Sequence, residues 1–288
     1  MSDSDVEFLV CNLCGSPNRT IVIDGRFGQI AKCDRCGLMF RLTTTAAHPV
    51  EHAGGVDRLA KQFEIKQKVQ LVDYQKCFSV IERYLPSATR DLVEIGSFTG
   101  HFLRLAREKG WNVRGVEPDE NAARLSVDGT GLDVSISDLR GAGLQPGSFD
   151  AVVMFHVIEH FRDPFAELEE IHRVLRRGGI LVAETPRFDT IWFRLLKERE
   201  RSVIPDHLFY FTRSTLAKIV TRAGFSVVQL DTVGRTLALD RLITNVAKVV
   251  DWRALSRLLA YASDRLQLNR ITLHVNTHDM MRIYAQRN

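Results

Sequence analysis

From residue 91 onward the sequence alternates short apolar segments with amphipathic ones, and this alternation constrains the fold more than any other feature. The apolar segments are DLVEIG, NVRGVEP, DVSISD, FDAVVMFHV and GILVAETP. Between them lie segments with apolar residues at helical spacing, such as GHFLRLAREKG and DPFAELEEIHRVLRR. Repeated strand–helix units are typical of a parallel sheet that helices cover on both faces. We therefore predict an α/β fold with a doubly wound, mostly parallel, Rossmann-like sheet.

Ligands bind such sheets beyond the carboxyl ends of the strands, so candidate site residues are expected there. The first strand leads into the turn GSFTG, where Gly96 and Gly100 let the backbone approach a ligand closely. Glu117 follows the second strand, where a carboxylate can accept hydrogen bonds from a ribose diol. Asp138 is expected to end the third strand, where it can accept a hydrogen bond from the amino group of adenine. Together these positions predict an adenosine ligand.

The turn after the first strand argues against an adenosine ligand with phosphates. Phe98 stands where a dinucleotide fingerprint has its second glycine, which allows close approach to a pyrophosphate. No lysine follows the turn as it does in a P-loop. S-adenosylmethionine, which is an adenosine without phosphates, fits the pattern better.

Several motifs in order carry a family resemblance, which covers about residues 90–235. VEIGSFTGHF, GVEP, SDL, GSFDAVVMFHVIEHFRDP and HRVLRRGGILVAETP resemble the motif series of class I S-adenosylmethionine-dependent methyltransferases. The resemblance implies that Glu117 holds the ribose and Asp138 the adenine amine. It also implies a larger set of cofactor-binding residues, comprising Glu94, Gly96, Ser97 and Gly100 around the methionine end, Pro118 beside the ribose, and Phe155 with His156 as a wall. Phe98 departs from the family pattern, because many members have glycine there.

Two short segments offer candidate catalytic residues for methyl transfer to an acceptor that must lose a proton. In HVIEHF, His160 is the candidate general base, and Glu159 either orients it or contacts the acceptor. In DHLFYF, His207 and Tyr210 are candidates to project from a lid over the acceptor. The alternative for each segment is a structural role, in which the side chains hydrogen-bond a loop or pack within a lid.

Four of the five cysteines form two C-x-x-C pairs near the start of the sequence, Cys11 with Cys14 and Cys33 with Cys36. The spacing falls within that of four-cysteine zinc sites, and four thiolates complete a closed tetrahedral structural site. A redox dithiol is less favoured, because two matched pairs precede the strand–helix units instead of one pair beside them. Between the pairs, TIVIDGRFGQIAKC predicts a hairpin that turns at Asp24-Gly25. A four-cysteine ribbon ahead of such a core also resembles one bacterial subgroup, which includes sugar C-methyltransferases.

These observations divide the chain into four predicted parts. They are a zinc ribbon (residues 1–45), a linker with helices (46–89), an S-adenosylmethionine-binding core (90–235) and a helical insertion with a final strand (236–288). The family resemblance places the final strand, MMRIYAQR, antiparallel in the sheet. The basic amphipathic helices predicted before it can cover the core, form a dimer surface or contact a membrane surface or lipid-linked acceptor.

Composition narrows the predicted partners and location. The net charge of +4 is too small to indicate a nucleic-acid partner, and the ribbon's basic residues are offset by acidic ones. The first residues lack a signal-peptide pattern, and no apolar run approaches the ~18 residues of a membrane span, so we expect a cytoplasmic protein. The function favoured is methyl transfer to a small molecule. The alternatives are an RNA or protein methyltransferase that uses the ribbon for recognition, or a non-catalytic cofactor-binding module.

Overall fold

A computed structural model describes residues 6–44, 73–85, 90–128, 130–238 and 272–288. The structural statements below concern these residues. Two predicted segments lie outside them, namely most of the linker and helices before residue 73 and the amphipathic helices of residues 239–271.

The N-terminal region forms two small antiparallel sheets. The larger contains β2 (Arg19–Gly25), β3 (Gly28–Cys33) and β4 (Met39–Arg41), and in the smaller β1 (Val6–Glu7) pairs with β5 (Thr43–Thr44). The hairpin of β2 and β3 is confirmed, but its predicted turn at Asp24-Gly25 is wrong. Gly25 pairs with Gly28, so the chain turns at Arg26 and Phe27 instead. Asp24 belongs to the ladder, opposite Gln29.

The rest of the chain is built on a seven-stranded sheet. Its strands are β6 (Asp91–Ile95), β7 (Asn112–Val116), β8 (Val134–Ser135), β9 (Phe149–Phe155), β10 (Leu175–Pro186), β12 (Phe225–Thr232) and β15 (Met280–Arg287). The strand order is β8-β7-β6-β9-β10-β15-β12. β6 to β10 pair in parallel, and β15 is antiparallel to both of its neighbours, β10 and β12. The predicted fold class and the antiparallel last strand are confirmed.

Helices cover both faces of this sheet. They are α1 (residues 73–84), α2 (His101–Glu108), α3 (Glu120–Asp128), α4 (Pro164–Val174) and α6 (Arg213–Arg222). A further helix, α5 (Ile191–Leu196), has no buried residue, and its Phe193 packs against the N-terminal strands instead. One apolar cluster joins α1 and α2 to the sheet through residues such as Phe78 and Phe102. The opposite cluster joins α4 and α6 through Leu168 and Ile219. The core is therefore doubly wound.

The larger N-terminal sheet includes one strand from a later part of the sequence, which attaches the sheet to the core. β11 (Phe209–Tyr210) pairs antiparallel with β4, so the order of this sheet is β11-β4-β3-β2. Cys11, Leu13 and Phe40 pack in the same apolar cluster as α4 and α6. The two remaining strands, β13 (Arg235–Ala238) and β14 (Thr272–Val275), pair with each other.

Three element boundaries differ from the sequence prediction. β8 ends at Ser135, so Asp138 lies in the turn after it instead of at the strand's end. α4 ends at Val174 instead of continuing to the glycine pair Gly178-Gly179, because Leu175 already belongs to β10, where it pairs with Phe149 of β9. Residues 236–238, predicted to begin a helix, belong to β13. Within the described residues, no helix has the length and apolar character needed to cross a membrane.

Candidate functional site

The turn between β6 and α2 lies at the point where the sheet order reverses, since β7 and β9 flank β6 on opposite sides. A crevice at this point is where such sheets bind ligands. Gly96 and Gly100 have φ of 70° and 71°, in the left-handed region. A Cβ on Gly96 would come within 2.5 Å of Val157, and one on Gly100 within 2.2 Å of the Ser126 hydroxyl. Both positions therefore require glycine.

Glu117 and Phe98 hold this turn together. Phe98 adopts a φ of 47°, which costs a residue with a side chain roughly 1–2 kcal/mol. Its backbone N–H donates to Glu117 Oε2 at 2.8 Å, and the N–H of Asp119 donates to Glu117 Oε1 at 2.9 Å. Glu117 is buried, and burial raises its pKa, while the two backbone donors oppose this shift. The carboxylate thus fixes the turn and stands directly after β7, as the sequence predicts.

Buried polar atoms without a hydrogen-bond partner mark the same turn. Among the described residues they include Glu94 Oε2, Ser97 Oγ and Thr99 Oγ1. Burial, and then the nearby charge of Glu117, raise the pKa of Glu94 well above its usual range. A bound cation would favour the ionised form of Glu94, and the two hydroxyls can pair with a carboxylate or an ammonium. This donor set fits the charged amino-acid end of S-adenosylmethionine.

The adenine side of the crevice is less well defined. Asp138 is exposed, and its Oδ1 accepts a hydrogen bond from Gly141 N at 2.6 Å, so it caps the turn that follows β8. Pro118 is exposed next to Glu117. Phe155, at the end of β9, packs against Tyr74 and Phe102 with ring centroids 5.2 Å and 4.9 Å apart. The wall predicted for Phe155 is thus an aromatic cluster that includes Tyr74 of α1.

A charged network lies behind this wall, in which Arg282, Glu184 and Glu159 are buried and His156 is exposed. Arg282 donates to Glu184 Oε2 through Nε at 2.8 Å and Nη2 at 2.6 Å. Glu184 Oε1 lies 3.5 Å from His156 Nε2, and His156 Nδ1 lies 3.6 Å from Glu159 Oε1. Burial raises the pKa of Glu184, but Arg282 and His156 together outweigh it and hold the pKa well below its usual range. His156 has a φ of 59°, and the carboxylates on either side overcome desolvation to raise its pKa to about 9. The ring of His156 is therefore held between two acids at the end of β9.

Arg282→Met is expected to destabilise the fold by about 3–5 kcal/mol, because it leaves the carboxylate of Glu184 buried without its partner. Because the pKa of Glu184 is lowered, the pair's contribution is present above the unfolded pKa of Glu and is lost as the pH falls toward the folded value. Denaturant unfolding at neutral pH measures the loss. Arg124→Met, which breaks an exposed pair with Glu120, is the matched control and should cost less than about 1 kcal/mol. Equal losses in the two variants would contradict the assignment.

The two candidate catalytic segments come together in space. Leu208 N donates to Glu159 O at 2.9 Å, and the rings of His160 and His207 lie 4.7 Å apart. Glu159 is fully buried, whereas His160 is partly exposed. Burial lowers the pKa of His207 to about 4, which favours its neutral form. The structure therefore unites Glu159, His160 and His207 in one cluster, next to His156.

Tyr210 lies elsewhere. It has no exposed surface, and its ring packs against Phe188 at 5.0 Å. Its hydroxyl accepts a hydrogen bond from Arg41 Nη2 at 2.5 Å. Arg41, buried in β4, also donates to the carbonyls of His207 at 3.3 Å and Ile204 at 2.7 Å. The lid predicted for DHLFYF is thus the strand that joins the ribbon to the core, with Tyr210 as a structural part of the joint.

The four paired cysteines form a compact cluster. Cys11 Sγ lies 3.4 Å from Cys36 Sγ, Cys14 Sγ lies 3.5 Å from Cys33 Sγ, and all four sulfurs are within 4.8 Å of one another. Tetrahedral zinc with bonds of about 2.3 Å separates its sulfur ligands by about 3.8 Å. The donor set therefore fits one zinc ion. The fifth cysteine, Cys77, is buried in α1.

Comparison with known proteins agrees with this architecture. A family model described as a methyltransferase domain matches residues 69–230, which is more than half of the chain. The chain belongs to this methyltransferase family. The match covers β6 to β10, the turn at Gly96 and the cluster of Glu159, His160 and His207.

Curated relatives are similar to about half of this chain. The "Probable S-adenosylmethionine-dependent methyltransferase" of Mycolicibacterium smegmatis is 31% identical over 148 residues, covering 51% of this chain and 55% of the relative. C-methyltransferase NovU of Streptomyces niveus is 29% identical over 157 residues, covering 49% of this chain and 34% of the relative. The chain thus spans about half, or less, of the length of these relatives.

Two solved structures share the fold. A methyltransferase from Thermotoga maritima superposes with a TM-score of 0.51 at 20% identity, covering 81% of this chain and 96% of the other. An S-adenosylmethionine-dependent methyltransferase from Archaeoglobus fulgidus superposes with a TM-score of 0.50 at 21% identity, covering 74% of this chain and 94% of the other.

Sequence reasoning missed three residues that shape the site. Glu184 and Arg282 lie within the buried stretches of β10 and β15, and a charge in such a stretch is the signal that a buried partner exists. Arg41 lies in the equally buried strand β4 and gave the same signal.

Proposed function

We propose that the protein is an S-adenosylmethionine-dependent methyltransferase that acts on a small-molecule acceptor. The observation that carries this proposal is the turn after β6, where Glu94, Ser97 and Thr99 present unpartnered buried polar atoms and Glu117 stands at the end of β7. The methyltransferase-family match covers these residues, which supports their assignment to cofactor binding. In this proposal Gly96 and Gly100 let the cofactor approach the backbone. Glu94 and Ser97 bind its methionine end, Glu117 with Pro118 its ribose, and Asp138 its adenine, while Phe155 and His156 flank it.

S-adenosylmethionine supplies a methyl group on a sulfonium, which an acceptor displaces in line. The protein must align the acceptor and keep water out, and alignment alone contributes roughly 7–11 kcal/mol to lowering such a barrier. The aromatic cluster of Tyr74, Phe102 and Phe155 gives the crevice an apolar wall. Thr99 Oγ1 and Glu94 Oε2 have no hydrogen-bond partner among the described residues, so these two atoms are available to orient the ligand.

We assign removal of the acceptor's proton to the cluster of Glu159, His160 and His207. The ring Nδ1 of His160 lies 2.8 Å from the carbonyl of Asp206, so the unengaged nitrogen is Nε2. Burial lowers the pKa of His207 to about 4, which makes it a weak base, so we assign the proton to His160 Nε2. A positioned base of this kind contributes a factor of about 10²–10⁴.

The four-cysteine cluster is assigned a structural zinc ion. Four thiolates complete the tetrahedron and leave no position open for a substrate. The ion would stabilise the small sheet that holds β11, and so the loop that carries His207. This gives the ribbon a role in the site without a role in recognising RNA or protein.

Transfer of a labelled methyl group tests the acceptor class. The protein is incubated with methyl-labelled S-adenosylmethionine and a panel of small molecules with hydroxyl, amine or acidic carbon nucleophiles, beside RNA and protein acceptors. We expect label in a small molecule only. Label confined to RNA or protein would contradict the proposal and favour recognition through the ribbon.

A further inference from the structure

A second group of metal-ligating side chains lies outside the four-cysteine centre. Glu159, His160 and His207 each offer a ligand atom, and these atoms lie within 4.8 Å of one another. Glu159 and His160 belong to the short 3-10 turn Ile158–His160, and His207 lies in the loop before β11. The two loops are tied together by the hydrogen bond from Leu208 N to Glu159 O. The three side chains are therefore held in place before any ligand binds.

Both histidines are oriented by backbone carbonyls. His160 Nδ1 lies 2.8 Å from the carbonyl of Asp206, and His207 Nδ1 lies 2.7 Å from the carbonyl of Ser202. A carbonyl only accepts, so Nδ1 of each ring carries the proton and Nε2 keeps a lone pair. Metal-ligating histidines are characteristically held in this way, with the other ring nitrogen donating to a backbone carbonyl or a carboxylate.

Glu159 provides an independent indication of a ligand. Its side chain has no exposed surface, and neither carboxylate oxygen has a hydrogen-bond partner among the described residues. His156 Nδ1 lies 3.6 Å from Glu159 Oε1. A buried carboxylate without hydrogen bonds is costly unless it is paired or coordinates a metal. The contact with His156 engages Oε1, so Oε2 remains buried with unused ligand capacity.

We propose that Glu159, His160 and His207 bind one divalent transition-metal ion. Two imidazole nitrogens and one carboxylate are a donor set typical of such ions, including Zn²⁺, Fe²⁺ and Mn²⁺. Three protein ligands leave coordination positions open, and the partial exposure of His160 gives access to them. The site differs in this respect from the closed four-cysteine centre.

The role of the ion rests on the proposed methyl transfer. A metal in this cluster would coordinate the acceptor beside His156 and make a bound hydroxyl easier to deprotonate. In the metal-bound protein, the coordinated acceptor would give its proton to water at the partly exposed side of the cluster, and His160 and His207 would act as ligands instead of free bases. In the metal-free protein they are free bases, so measuring both forms separates the two chemistries.

Cobalt binding tests the site directly. Co²⁺ is titrated into the full chain after its zinc content has been measured, with absorption spectra recorded throughout. Thiolate ligands give cobalt a charge-transfer band, whereas nitrogen and oxygen ligands do not, so the two centres are distinguishable. We expect one additional ion per chain without the charge-transfer band. Its affinity should fall at least about tenfold in Glu159→Gln and His207→Gln, and remain unchanged in His278→Gln, an exposed histidine outside the cluster.

His160→Gln, at the partly exposed ligand, provides a second test should the buried substitutions prevent folding. Absence of a second ion, or a second ion that binds all three ligand variants as tightly as the wild type, would overturn the metal site. Binding of S-adenosylhomocysteine to the wild-type protein is measured in the same samples. Its absence would count against the proposed methyltransferase activity, whereas its presence without a second ion would count against the metal site alone.

Discussion

Replacing Glu117 with alanine is expected to weaken the binding of S-adenosylhomocysteine by at least about 100-fold. The change removes the acceptor proposed for the ribose and also frees the backbone N–H groups of Phe98 and Asp119. The ribose diol would donate two hydrogen bonds to this carboxylate. A hydrogen bond to a charged group contributes about 1.5–3 kcal/mol, so losing both costs about 3–6 kcal/mol in binding. Each 1.4 kcal/mol is a factor of ten in the dissociation constant.

Calorimetry measures this loss, and Glu120→Ala is its matched control. Glu120 lies three residues further on, is exposed and pairs with Arg124 at 2.5 Å, so its removal should leave the affinity unchanged. Glu117→Gln keeps an acceptor oxygen and should bind with intermediate affinity. Wild-type affinity in Glu117→Ala would remove Glu117 from the cofactor site.

Removing zinc from the four-cysteine centre is expected to unfold the ribbon and to release the segment that carries His207. Zinc binding to small cysteine-rich domains contributes apparent free energies of about 10–16 kcal/mol, which is comparable to the whole stability of a domain. β4 holds β11 through backbone pairing, and Arg41 holds the carbonyls of His207 and Ile204. Loss of the ribbon therefore removes the support of the acceptor side of the site.

Hydrogen exchange checks this prediction. Cys33→Ser should lose zinc, and the amides of β2, β3 and β4 and of residues 204–210 should exchange faster. Cys77→Ala also removes a buried thiol, but one outside the four-cysteine centre, and should keep zinc and ribbon protection. Unchanged protection of residues 204–210 in zinc-free Cys33→Ser would show that the ribbon does not support the His207 loop.

Much of the core could be predicted from the sequence, because its central strands are continuous apolar runs. β9 and most of β10 are buried on both faces. The turn at Gly96 is recognisable in the sequence by its two glycines, and in the structure a Cβ at either position would clash. Boundaries were less predictable. The glycine pair after Arg177 looked like the end of α4, yet pairing of Leu175 with Phe149 begins the strand earlier.

Long-range partners could not be predicted, because periodicity reports which face is buried but not what covers it. The pairing of β4 with β11 joins residues far apart in the chain. The sequence therefore predicts a lid position for Tyr210, whereas in the structure Tyr210 pairs with β4 and contacts Arg41. The pairing of Glu184 with Arg282 likewise depends on the register between β10 and β15. In contrast, residue type alone indicates His160 and His207 as candidate catalytic residues in two separate segments, and the fold brings their rings together.

Calorimetry of the purified chain with S-adenosylmethionine and S-adenosylhomocysteine tests the central claim most directly. The turn after β6, with its unpartnered buried atoms and Glu117, predicts one saturable site per chain for either ligand. Glu117→Ala should abolish or greatly weaken the heat of binding, whereas Glu120→Ala should reproduce the wild-type curve. A well-folded wild-type protein that binds neither ligand would contradict the account.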